Sequence, residues 1–281
     1  MRKIYLFPNM ITAFGLSCGL FVIFKMNMLM PGAVDRHAFQ VAAQLLLLAA
    51  LADVLDGAVA RLIHAESEFG VQFDSLADAV SFGVVPSVMM IKSLPISEER
   101  LLAFGVTASA MVYSICGVLR LARFNVTAGQ IKENLTDEEI IAQKKNFTGL
   151  PIPAAAAAAV SMNLFLLSNP LEEWGIIIDD EIRSFILIAV MFSLGYFMVS
   201  QWKFPSVKML RWRIQSFEVF FISVVAAVVL FYVIYYHFAT VMAILAWSYI
   251  SVSFVLSLIR RIAGKRVQTL EDFEPDSHDS L

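Results

Sequence analysis

Apolar residues run through this chain in long stretches separated by short polar links. A membrane-spanning helix needs about 17–25 such residues. Eight stretches qualify, approximately Ile11–Met30, Ala38–Ile63, Val71–Ile91, Leu101–Leu119, Pro151–Ser168, Ile182–Ser200, Phe217–Tyr236 and Ala239–Ile259. The pattern predicts an all-α, polytopic membrane bundle. The fifth stretch is rich in alanine and only modestly hydrophobic, so it is expected between helices rather than against lipid. Composition agrees: 59% of the 281 residues are hydrophobic and mean hydropathy is +0.73, too apolar for a soluble domain. One membrane domain, residues 1–265, is followed by a polar, acidic tail, residues 266–281, whose composition predicts loose order. No internal repeat is evident.

Charge adds an orientation. With the N-terminus inside, only Lys25, Arg36, Lys92, Arg100 and Arg183 of the 21 basic residues fall on the outer side. The positive-inside rule then puts both termini in the cytoplasm, with the protein integral to the inner (cytoplasmic) membrane. Net charge of −3 is segregated by side, and no nucleic-acid partner is expected. Cys18 and Cys116 both fall in predicted spans and read as small packing residues. The first span is long and lacks a convincing cleavage site, so it reads as a retained helix.

Four carboxylates interrupt this apolar pattern. Asp53 and Asp56 lie inside the second span, and Asp74 and Asp78 begin the third. Carboxylates in membrane helices are costly and mark functional sites. Residues three or four apart share a helix face, so each pair projects together. The polar link His64–Glu68 folds the two helices back on one another, and all four groups converge near one membrane surface. Such a cluster calls for cations. Oxygen-only ligands suit magnesium, manganese or calcium, and magnesium keeps positions open for phosphate oxygens. Gly57 and Gly70 leave room for a ligand near the backbone. Arg61, two turns beyond Asp53, is placed to pair with a phosphate.

The full string is Asp53-x2-Asp56-Gly57-x2-Ala60-Arg61-x8-Gly70-x3-Asp74-x3-Asp78. It resembles the signature of the CDP-alcohol phosphatidyltransferase family at every position. The resemblance implies an integral membrane enzyme that moves a phosphatidyl group from a CDP-linked lipid to an alcohol. Further strings narrow it. DSLADAVSFGVVP, RLARFN, FTGLPIPAAA and WKFPSVK, within Pro8–Lys208, resemble the bacterial-type phosphatidylserine synthases of that family. This implies CDP-diacylglycerol and L-serine as substrates, CMP as leaving product, and a homodimer among membrane lipids.

Several smaller features carry two readings. Asn9 and Thr12, behind Pro8, either cap the first helix or reach the nucleotide or phosphate. Ser67 either contacts the cytidine or diphosphate or caps the third helix. Arg120 and Arg123 are either snorkelling arginines or a fork for the serine carboxylate, with Asn125 adding a donor and acceptor. Gly149-Leu150-Pro151 starts the fifth helix with a sharp turn. The last two spans show no recognisable chemistry.

For the implied reaction, the expected metal ligands are Asp53, Asp56, Asp74 and Asp78, holding two divalent ions, Mg2+ or Mn2+, with Asp78 also at the substrate edge as base or orienting group. Arg61 grips a phosphate, and Gly57 and Ala60 leave room for the cytidine. Two other functions compete. The acceptor could be glycerol 3-phosphate, inositol phosphate or choline. An ion-coupled transporter also uses intramembrane carboxylates, but typically at the midplane and with internal repeats.

Overall fold

The computed structural model describes residues 6–30, 35–63, 67–95, 100–134, 147–168, 178–200, 203–204 and 237–262. Its helices are α1 Leu6–Asn27, α2 Arg36–Leu62, α3 Glu68–Asp78, α4 Val85–Ser93, α5 Arg100–Asn134, α6 Ile152–Leu167, α7 Asp180–Val199 and α8 Phe238–Ile262. A π-helical segment, Ala79–Val84, joins α3 to α4 without a break. Among the described residues, β structure is confined to one antiparallel bridge of β1 Phe147–Thr148 with β2 Lys203–Phe204.

Among the described residues, six helical stretches are long and apolar enough to cross a membrane: α1, α2, α3 through α4, α5, α7 and α8. The protein is therefore a multi-pass helical membrane bundle. Their outer faces carry exposed apolar side chains such as Phe14 and Phe21 on α1 and Phe104 and Met111 on α5, as a lipid-facing surface requires. The fifth predicted span forms α6, which has only 16 residues and packs against α2, α4, α5, α7, α8 and the π segment. Its alanines 155, 156 and 158 are fully buried. Small side chains let this many helices approach one axis. The predicted span Phe217–Tyr236 and the 266–281 tail lie outside the described residues.

One boundary differs from the sequence expectation. The fourth span was expected to end near Leu119, yet α5 continues to Asn134. The residues past Arg120 still pack inward: Leu121 is buried and Asn125 bonds to α3. Arg120–Asn125 is consequently helical rather than a connection.

Polar ties hold each end of the bundle. At one end, the buried Arg183 of α7 donates from Nη2 to the Ser93 carbonyl of α4 at 3.0 Å and to Asn163 Oδ1 of α6 at 3.3 Å. At the other, the Leu150 amide donates to the Phe197 carbonyl at 3.0 Å, and Arg123 Nη1 to the Val199 carbonyl at 3.2 Å. Gly149 makes the intervening turn with φ +87°, and a Cβ there would stand 2.4 Å from the Met198 carbonyl oxygen. Only glycine fits that backbone at low cost.

Candidate active site

Three elements build the acidic site. α1 packs against both α2 and α3 and is the element that holds the two carboxylate pairs in relation to one another. Gly19 of α1 makes part of this approach possible: a Cβ there would lie 2.5 Å from Ser81 Oγ. Carboxylate oxygens of Asp53, Asp56 and Asp74 come within 4.8 Å of one another. Asp53 and Asp74 face one another across the gap between α2 and α3. Asp78 lines the same pocket, together with Thr12, Ala49, Ser81 and Phe82. Carboxylates this close are compatible only with a shared proton or a cation between them.

The donor set fits a divalent metal. It is made of oxygens alone, it converges, and one member, Asp56, is only 4% exposed. Hard cations are held by such sets, with positions left for phosphate oxygens. Thr12 Oγ1 donates to Asp56 Oδ2 and so fixes that carboxylate.

The other predicted residues divide into those the fold brings to the pocket and those it uses elsewhere. Asn9 lies beside Gly70, where a Cβ would stand 3.2 Å from Asn9 Oδ1 and 3.1 Å from Ser67 Oγ. Asn9 Nδ2 is buried without a partner. Ser67 is the N-cap of α3, its hydroxyl accepting from the Gly70 amide at 3.0 Å; the capping reading describes its observed contact. Arg61 is exposed, with its guanidinium folded back along α2 so that Nη1 lies 3.8 Å from a Cβ position at Gly57. Ala60 is partly buried on the same helix.

On α5 the three serine-binding candidates separate. Arg120 acts electrostatically on Asp78, and its Nε is buried without a partner. Arg123 is exposed and spends one donor on the end of α7. Asn125 Nδ2 donates to Ser75 Oγ at 2.9 Å. The sequence reading took Arg61 as the one cation near the carboxylates; Arg120, 42 positions past Asp78, is the one the fold turns toward them. Proximity across α5 and α3 is a tertiary fact that helical spacing does not encode.

Residues 5–195 match the sequence pattern of the CDP-alcohol phosphatidyltransferases. The chain belongs to this family. Among its curated relatives is a CDP-diacylglycerol–serine O-phosphatidyltransferase of Helicobacter pylori (strain ATCC 700392 / 26695), 33% identical over 217 residues, covering 77% of this chain and 79% of the relative. A Bacillus subtilis (strain 168) protein of the same name is 31% identical over 202 residues, 72% of this chain and 90% of that one. A third, from Saccharomyces cerevisiae, is 35% identical over 172 residues, 59% and 58% of the two chains.

Family membership makes the chain a transferase acting on a CDP-linked alcohol, and the Asp string falls wholly inside the matched region. Sequence reasoning missed three contributors. Ser75 holds Asn125. Ser81 is buried at 2% exposure in the acidic pocket with no partner for its hydroxyl. Tyr249 of α8 lies near Arg120, so the last helix approaches the site. The spacing Asp74, Asp78, Ser81 on one helical face was the available signal for Ser81. No sequence signal marked Tyr249, which lies beyond the family match.

Proposed function

We propose that this protein is a phosphatidylserine synthase that transfers the phosphatidyl group of CDP-diacylglycerol to the hydroxyl of L-serine and releases CMP. One observation carries the reading: four carboxylates of the family signature share a single pocket, in a chain whose relatives are named for that reaction.

Asp53, Asp56 and Asp74 would hold divalent ions, magnesium or manganese and two in number, with calcium also admissible. When bound, such ions neutralise the diphosphate and stabilise the leaving CMP. The rest falls to the protein. Asn9, Thr12, Gly57, Ala60, Ser67 and Gly70 shape the wall that receives the CDP group. Arg61 swings from Gly57 to grip a phosphate oxygen, for which a guanidinium fork is well suited. Arg120 receives the serine carboxylate, a role supported by its buried, unpartnered Nε and by its charge near Asp78. Arg123 and Asn125 support that wall through Val199 and Ser75.

Chemistry is a direct displacement. A serine Oγ–P bond forms, the P–O bond to CMP breaks, and the serine hydroxyl proton passes to Asp78. Phe82 lines both the acidic pocket and an apolar cleft between α2, α6 and α8 that includes Leu46, Val160 and Met242. This continuity supports an acyl chain in the cleft with the diphosphate among the carboxylates. The basic-residue asymmetry supports a pocket opening to the cytoplasm from the inner membrane, and the family resemblance supports a homodimer.

The test is CMP release by purified protein given CDP-diacylglycerol and manganese or magnesium. L-Serine is expected to drive release, and Asp74→Asn to abolish it. Release with glycerol 3-phosphate, inositol phosphate or choline instead would overturn the acceptor assignment.

A further inference from the structure

The π-helical segment begins at the residue after Asp78. π turns fit about one extra residue into a helix and occur mostly at functional sites. Here the chemistry of the chain explains how it is held. Pro86 has no N–H, so the Phe82 carbonyl four residues earlier has no α-helical donor. Tyr113 of α5 supplies one: its hydroxyl donates to the Phe82 oxygen at 3.0 Å. The adjacent Ser114 hydroxyl donates to the Gly83 oxygen at 2.9 Å. Ser87 Oγ, just past the segment, bonds back to the Ala110 carbonyl and to Ser114, both at 2.9 Å.

These contacts belong to a longer series. α5 runs antiparallel to the α3–α4 helix and meets it again where Asn125 Nδ2 donates to Ser75 Oγ at 2.9 Å, with the Arg120 charge near Asp78 in between. Tyr113 and Arg120 are seven residues apart and so lie on one face of α5. One helix therefore fixes both the π segment and the carboxylate just before it. Tyr113 is completely buried, and its hydroxyl is committed to the Phe82 carbonyl.

We propose that Tyr113 is a positioning residue for the transfer reaction: its hydroxyl clamps the π segment and thereby sets the rotation of Asp74 and Asp78 toward Asp53 and Asp56. The proposal rests on the synthase reading above. Without the hydroxyl the segment relaxes toward ordinary helical spacing, and the α3 carboxylates turn away from those on α2. Packing is otherwise kept, because phenylalanine fills nearly the same volume.

The experiment compares wild type, Tyr113→Phe and Ser114→Ala, with the exposed Tyr196→Phe of α7 as control. Three quantities are read: kcat and KM for serine-dependent CMP release, melting temperature without metal, and the manganese concentration that half-saturates the metal-induced rise in melting temperature. Tyr113→Phe is expected to lower kcat by about tenfold, the scale at which a small misplacement acts, with KM for CDP-diacylglycerol within about twofold of wild type. Its manganese midpoint should rise by a similar factor. Ser114→Ala should shift both quantities in the same direction, and Tyr196→Phe neither. A Tyr113→Phe protein with wild-type kcat and manganese midpoint overturns the proposal, as does a lower metal-free melting temperature alone. Absence of CMP release by wild type would instead refute the synthase reading. The manganese midpoints would still decide the clamp, because they do not depend on turnover.

Discussion

Thr12 has a contact that neither of its two readings in the sequence named. Its hydroxyl lies 3.2 Å from the Pro8 carbonyl oxygen and also within reach of Asp56 on α2, and its one proton is better given to the carboxylate. Hydrogen bonds to charged groups contribute about 1.5–3 kcal/mol. Thr12→Val keeps the shape and removes that donor, so it is expected to lower kcat/KM by about ten- to a hundredfold in the CMP-release assay while the protein still folds. Gly19 makes a complementary case. Gly19→Ala would press a methyl against Ser81 Oγ, and overpacking of this kind costs about 1–3 kcal/mol. A melting-temperature drop together with lost activity is expected. Asp53, Asp56, Asp74 and Asp78 were legible as a converging set because helical spacing and membrane burial are local properties of the sequence. Ser81 and Ser75 were not, because their significance depends on what α1 and α5 place beside them.

At the scale of elements, the spans were readable from hydrophobic runs, and so was the burial of α6, whose alanines are too small to be a good lipid-facing surface. The π segment was not readable. Pro86 is a local signal that the Phe82 carbonyl lacks an α-helical donor, but the groups that meet the segment, the Tyr113 and Ser114 hydroxyls, come some thirty residues later. The continuation of α5 past Leu119 escaped for a related reason, since Asn125 finds its partner, Ser75, on another helix. α3 offers a direct test of element-level energetics. Ser67 is its N-cap, and Ser67→Ala is expected to cost about 1 kcal/mol. Because α3 carries Asp74 and Asp78, the loss should appear as a lower melting temperature. Serine-dependent turnover per folded molecule should stay near wild type. A loss of turnover at unchanged stability would instead favour a direct contact between Ser67 and the nucleotide.

The whole molecule is organised around α6, which touches α2, α4, α5, α7, α8 and the π segment. No neighbouring helix separates from the bundle without uncovering it. A single cooperative unfolding transition is therefore expected in detergent, reported alike by circular dichroism and by tryptophan fluorescence. Ala156→Leu, at a fully buried position of α6, should lower the midpoint by forcing several helices apart at once, at a cost of about 1–3 kcal/mol.

That central helix also has a consequence for how the protein comes to exist. At about 1.5 Å per residue, its 16 residues extend roughly 24 Å, short of a hydrocarbon core about 30 Å thick. The helix that the finished bundle most depends on is thus the one least able to hold a place in the bilayer by itself. Its stable partners α7 and α8 leave the ribosome after it. Biogenesis has to retain α6 until they arrive: with a single cysteine introduced into α6, a nascent chain stopped after Leu167 should let a water-soluble thiol reagent reach it, whereas one extended through Ile262 should shield it.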